Sequence, residues 1–142
     1  SMVNLSGLRM IFRDHSEMLR AAFLFGSQVE GKAGPLSDYD FAILPREGYE
    51  RGEGWLKLVS ELLPILAEEL GVSEGRIDLV ALVDPLPDEL WYRAILRGIP
   101  LYVEEGLLAE LRLRALRFLD FKVMVEKLKL KEVTLRSLRV RG

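Results

Sequence analysis

The stretch from Ala21 to Leu44 sets the tightest limit on what this chain can fold into. Ala21-Ala22-Phe23-Leu24-Phe25 is a short apolar run stopped by Gly26, the pattern of a buried strand. Gly31, Gly34, Pro35 and Ser37 mark the segment that follows as a loop. Tyr39 to Leu44 reads as a second strand, closed by Pro45. A buried strand needs apolar cover, and the rest of the chain has to supply it as helices.

Helical spacing is found on both sides of that stretch. Leu5, Leu8, Ile11, Phe12, His15 and Leu19 recur at helical intervals and predict a helix from Leu5 to about Leu19. After the glycines between Gly48 and Gly54, a second helix is expected from about Trp55 to Leu70, ended by Gly71 in a left-handed cap. Pro64 either kinks that helix or opens a separate one. Ile77 to Val83 predicts a third strand, Asp88 a cap for a helix over 89–97, Gly98 its end, and Ile99 to Val103 a further strand. From Glu104 to about Leu128, Leu107, Leu108, Leu111, Ala115, Leu116, Leu119 and Val123 form an apolar stripe on the longest helix. The order predicts an α/β (α+β) fold, a small mixed sheet flanked by helices with a long C-terminal helix. The 142 residues suit a single domain, with a core over about 5–104 and a helix and basic tail over about 104–142.

Composition narrows the setting. With no cysteine, disulfides and thiolate metal sites are excluded, and a reducing cytoplasm is the expected compartment. No apolar run reaches the length of a membrane span, and no signal peptide opens the chain, so no membrane association is expected. The net charge of −2 hides an asymmetry: residues 111–142 carry ten Lys/Arg against three Asp/Glu. A basic tail on an acidic body is either a solvated helix face or a surface for a charged partner. Lys127, Lys129, Lys131, Arg136, Arg139 and Arg141 lack interleaved aromatics, so direct nucleic-acid binding is not expected.

The chemistry is concentrated in Phe25-Gly26-Ser27-Gln28-Val29-Glu30-Gly31 and Ser37-Asp38-Tyr39-Asp40. Gly26 and Ser27 follow a strand and can open a helical turn, where unpaired N–H groups and a missing side chain admit a phosphate. Asp38 and Asp40 are two residues apart at the start of a strand, so both carboxylates share one face. Such a pair suits two Mg²⁺ ions roughly 3.5–4 Å apart. Asp78, near the start of the third strand, is the candidate for a third carboxylate. Each piece alone has an ordinary explanation: a tight turn at Gly26-Ser27, a capping or turn role for Asp38, and a solvated strand edge for Asp40 or Asp78.

Together, Gly26-Ser27, Gly31 and Ser37-Asp38-x-Asp40 resemble the signature of the polymerase-beta-like nucleotidyltransferase superfamily. In length and spacing the chain is closest to the minimal nucleotidyltransferase (MNT) family. The motif covers about sixteen residues, and the element order extends the likeness over most of residues 5–104. The resemblance implies that Asp38 and Asp40 hold two Mg²⁺ ions, and that Gly26, Ser27 and Ser37 bind the nucleotide. It implies that Asp78 binds the catalytic metal and helps orient the acceptor hydroxyl. A nucleoside triphosphate, most simply ATP, would then be attacked at its α-phosphate with release of pyrophosphate. Many MNT proteins are paired with a HEPN-domain toxin, and some add AMP to a tyrosine of that toxin. The resemblance therefore implies an antitoxin with a HEPN-type partner.

Many members carry Arg just after the Gly-Ser pair, where this chain has Gln28 and Glu30. A carboxylate beside a triphosphate is unfavourable unless it faces away, and Lys32 or Arg46 are the candidates to replace the charge. This departure keeps a second reading open, an antitoxin that neutralises its partner by contact alone. A third is a small-molecule nucleotidyltransferase of the aminoglycoside-modifying kind, although those carry an added substrate domain. The sole histidine, His15, is expected to be a packing residue, and Trp55, Trp91 and Tyr92 core or interface residues. The long helix would suit a homo-oligomer or a hetero-complex.

Overall fold

A computed structural model of the chain describes residues 3–141, and the side chains of residues 3–138. Helix α1 (Leu5–Asp14) is followed by β1 (Leu19–Phe25), a 3-10 turn (Gly26–Gln28) and β2 (Tyr39–Pro45). Then come α2 (Gly52–Leu70), a second 3-10 turn (Glu74–Arg76), β3 (Ile77–Ala81) and a short α3 (Asp88–Trp91) that continues as a π turn (Tyr92–Leu96). Strand β4 (Ile99–Val103) and helix α4 (Leu108–Arg141) complete the order.

The sheet order is β3-β2-β1-β4. β1 runs antiparallel to β2 and β4, while β2 and β3 are parallel, as their connection through α2 requires. The sheet is therefore mixed, as the sequence predicts. β1 is apolar along almost its whole length because both of its faces are covered. Ala22 and Leu24 pack with Leu8, Phe12, Leu58, Leu62 and Leu66 of α1 and α2. Ala21, Phe23 and Phe25 point the other way, onto Trp91, Ala94, Ile95, Leu111 and Ala115. Strand alternation thus divides one core into two layers, with helices on each side.

Several boundaries differ from the sequence expectation. α1 stops at Asp14 because Asn4 caps its start and His15 ends it, the His15 Nδ1 lying 2.7 Å from the Ile11 carbonyl. β1 consequently begins at Leu19. α2 starts at Gly52 and runs unbroken through Pro64, with Leu62 and Leu66 buried on either side of the proline. Gly71 ends it at φ 67, the left-handed cap that was expected. β3 ends at Ala81, not Val83. Asp88 caps nothing: Pro87 occupies the N-cap position, and the Asp88 carboxylate instead accepts from Arg114 Nη1 at 2.8 Å.

α4 departs most. It begins at Leu108, after the turn at Gly106, and extends past Leu128 to Arg141. Leu107, Leu111 and Ala115 are buried as the stripe requires, but Val123 is 52% exposed because the body of the protein has ended by then. Arg114 fastens the packed part of α4: its guanidinium reaches Asp84 and Asp88 at 3.0 and 2.8 Å and lies 4.7 Å over the Trp91 ring. The Arg139 and Arg141 side chains, counted in the basic tail, lie outside the described residues.

Candidate active site

β1 delivers Gly26 to the end of the sheet, and β2 enters beside it with Asp40 as the register partner of Phe25. Tyr39 and Phe41 face the α1/α2 core, so alternation turns Asp40 toward the α3/α4 side. Asp78 is the register partner of Asp40 on the parallel strand β3, and flanking Ile77 and Leu79 also face α1 and α2. The two carboxylates therefore project from one face of adjacent strands. Asp38 stands just before β2, exposed at the mouth of the same face.

The electrostatics reflect this crowding. The carboxyl of Asp40 is pushed up to about 6, first by burial and then by the negative charges of Asp78 and Asp38, while Arg93 pulls the other way. The closeness of the Asp78 carboxyl on the neighbouring strand adds to the rise. No group of three or more His, Cys, Asp or Glu side chains is gathered as a ready cation cage among the described residues. Asp40 and Asp78 are paired across the two strands, and the charge of Asp38 adds to that of Asp78 at Asp40. Gly26 has φ +81, and a Cβ there would collide with Asp40 Oδ2. Only glycine lets the backbone come this close to that carboxylate.

The turn after β1 is closed by its own backbone. Val29 and Glu30 both donate to the Gly26 carbonyl at 3.0 Å, which closes the turn and leaves the N–H groups at its start without helical partners. The loop that follows is folded back on Ser37. The Ser37 hydroxyl accepts from Gly34 N–H at 2.8 Å, and its carbonyl accepts from Gln28 Nε2 at 3.3 Å and from Arg76 Nη2. Ser37 thereby fixes the approach to Asp38, and Gln28 helps to hold the loop.

Glu30 does not face a phosphate unpaired. Arg93 of the π turn and Arg97 just after it meet it at 3.1 and 3.3 Å, and only 11% of its side chain is exposed. The hydrogen bond from Arg93 is the chief reason its carboxyl lies below the usual range, against the opposing effect of burial. Beside it lies a cavity of about 450 Å³ bounded by Ser27, Lys32, Tyr92, Arg93, Phe118 and Lys122. Of the two cations expected to replace the missing arginine, Lys32 reaches this cavity. Arg46 does not: it donates to the Ser16 carbonyl and pairs with Glu104 at 2.9 Å. Arg93, Arg97 and Lys122 were not singled out from the sequence. The signal that could have found them is Glu30, a carboxylate inside a phosphate-binding motif that must find a cationic partner to be tolerated.

The fold and this constellation define a nucleotidyltransferase of the polymerase beta type. The family model described as "Polymerase beta, Nucleotidyltransferase" matches residues 8–106, and the chain belongs to that family. No curated protein matches the chain at a significant level. Among solved structures, the chain is similar to a toxin-antitoxin crystallised with AMP-PNP, at 20% identity and TM-score 0.62 over 93% of this chain and 99% of that one. It is also similar to the toxin-antitoxin MntA-HepT, at 19% identity and TM-score 0.56 over 92% and 97%. A tri-AMPylated Shewanella oneidensis HEPN toxin in complex with MNT antitoxin is a third, at 20% identity and TM-score 0.54 over 92% and 93%. At these identities the likeness is one of fold.

Proposed function

We propose that the chain is an MNT-type antitoxin that transfers AMP from ATP to a hydroxyl, a tyrosine of a HEPN-type toxin partner. The observation that carries this reading is the pairing of Asp40 with Asp78 beside Gly26, with Asp38 at the mouth. The similar solved structures, which include MNT antitoxins with HEPN toxins and one with AMP-PNP, support the substrate and the partner.

The residues fit Mg²⁺. It takes oxygen ligands and is usually held by one or two carboxylates together with substrate phosphates. Two carboxylates pressed together at the cost of a raised Asp40 pKa are the arrangement a divalent cation relieves. Asp38, Asp40 and Asp78 would hold the ions, and bound Mg²⁺ supplies charge neutralisation at the transferring phosphate. The protein's own part is positioning: Gly26 and Ser27 seat the phosphates, Ser37 sets the entry to Asp38, and Asp78 orients the acceptor hydroxyl.

The far half of α4 supports a protein acceptor. Beyond Asp120 it projects from the body with Phe121, Val123, Met124, Leu128, Leu130, Val133, Leu135 and Leu138 all more than half exposed. A helix apolar on several sides is built to be covered. Self-pairing would set like charge on like charge, since five Lys/Arg face two Glu between Phe121 and Leu138. A partner with an acidic rim fits better. Phe118 and Lys122 of the same helix border the cavity beside Ser27, so a partner seated on α4 lies next to the nucleotide.

The test is incubation with Mg²⁺ and α-labelled ATP, with and without the protein encoded beside this chain, and with Asp38→Asn in parallel. Label on the partner that depends on Asp38 is expected. Partner neutralisation that survives an Asp38/Asp40 double substitution, with no label on any protein, would replace this reading with an antitoxin acting by contact. The exposed half of α4 is the feature that favours that second reading.

A further inference from the structure

We infer that Arg93 and Lys122 bind the terminal phosphates of the nucleoside triphosphate, and that Glu30 is the positioning residue that aims Arg93. The inference rests on the nucleotidyltransferase reading of the site and assigns its anion-binding half to residues outside the Gly-Ser motif. The cavity beside Ser27 is bordered by Lys32, Arg93, Arg97 and Lys122, against which stand Glu30 and Glu89. Four cations and two carboxylates leave a net charge of +2 beside Ser27, while Gly26 on the other side of the same turn lies against Asp40. A triphosphate is the chemical class that spans such a division, its inner phosphates toward the aspartates and its terminal oxygens on the cationic side.

Arg93 is placed for this by its partner and its position. Its guanidinium donates to Glu30 Oε2 at 3.1 Å and remains 43% exposed, so donors are left over for a ligand. It lines the same cavity as Ser27, the residue after Gly26, which lies against Asp40. It is carried on a π turn, a backbone form that is frequent at functional sites. Arg97, on the same carboxylate at 3.3 Å, keeps Glu30 neutralised when Arg93 turns to a phosphate. The chain thus replaces an arginine next to Gly-Ser with one brought from a distant part of the sequence, and Glu30 is the handle that holds it.

Binding of ATP, tripolyphosphate and adenosine is measured by calorimetry in the presence of Mg²⁺, alongside thermal unfolding of each variant. Arg93→Ala and Lys122→Ala are each expected to weaken ATP and tripolyphosphate by about tenfold or more while adenosine binding and the melting temperature stay near wild type. Arg93→Lys should recover part of the loss, because the charge returns without the fork. Glu30→Gln should weaken ATP although it makes the site more positive; tighter binding would overturn the positioning role. Equal affinity of wild type and Arg93→Ala for ATP and tripolyphosphate, or no binding of either by wild type, overturns the inference. Label transfer that depends on Asp38 and ignores Arg93 would leave the nucleotidyltransferase reading standing and this assignment refuted. Arg93-dependent ATP binding without transfer to any acceptor would do the reverse.

Discussion

Asp40 and Asp78 are register partners on two parallel strands, so their carboxyls stand side by side on one face of the sheet and the charge of Asp78 raises the pKa of Asp40. The helical crossover through α2 is what makes these strands parallel and adjacent, so two residues far apart in sequence become a pair. Packing of Phe41 and Ile43 on α1 and α2 fixes the strand parity, and with it the side on which Asp40 must emerge.

This pair makes the fold sensitive to pH. Asp40 titrates near 6 when folded and near the ordinary aspartate value when unfolded, so the folded state binds the proton more tightly. Its contribution is fully present below about pH 4 and is lost as pH rises through about 6. Asp40→Asn should therefore be more stable than wild type at pH 7.5 without Mg²⁺, by about 1 kcal/mol once solvent screening of a partly wet carboxylate is allowed for. The advantage should vanish near pH 4. Added Mg²⁺ should stabilise wild type at pH 7.5 and leave the variant unmoved, both read by urea unfolding, and the variant should have no transferase activity.

Gly26 is the second sensitive point. Alanine there has to adopt a φ near +81 and drive its Cβ against Asp40 Oδ2. The backbone alone costs about 1–2 kcal/mol. Displacement of Asp40 by a fraction of an ångström to an ångström should lower kcat by roughly a hundredfold. Unfolding and turnover measured on Gly26→Ala should show a modest loss of stability with a large loss of rate. A loss of the same size in Gly31→Ala, whose Cβ would meet nothing within 4 Å, would point to the glycine's backbone freedom alone.

How far the sequence carries is decided by locality. Gly26-Ser27 and Asp38-x-Asp40 are read directly because turn and strand parity act within a few residues, and Asp78 follows because a strand start could be seen near it. Arg93, Arg97 and Lys122 are not legible in the same way. They reach the site only after the π turn and α4 have packed on the β1 face, and no short spacing links them to Ser27. Element ends fail for a related reason. Residues 15–18 continue the apolar spacing of α1, but the chain has to turn there to enter β1. The stripe on α4 likewise continues in sequence beyond the point where there is a body to bury it.

Arg114 tests the packed half of α4. Its side chain is 19% exposed, bridges Asp84 and Asp88, and lies over Trp91, whose indole N–H also donates to Asp84 at 3.1 Å. Arg114→Ala leaves two carboxylates without their cation and uncovers an aromatic face. A loss of about 1–3 kcal/mol is expected in urea unfolding. Transferase activity per folded molecule should change little, since none of these groups borders the cavity beside Ser27 except through α4 itself.

Removal of the projecting half gives the opposite outcome. A chain ended after Lys122 keeps Leu107, Leu111, Ala115 and the Arg114 bridges, and loses mainly side chains that are exposed already. Deleting them forfeits little buried area, so stability should change by less than about 1 kcal/mol. It also removes most of the exposed apolar surface of α4, so solubility should rise. Neutralisation of the partner should be lost, while Mg²⁺-dependent nucleotide binding persists because Ser27, Arg93 and Lys122 remain. The check is to co-purify the truncated chain with the partner and titrate it with ATP. If the complex survives intact, the partner sits on another face of the protein, and the charge argument for α4 falls with it.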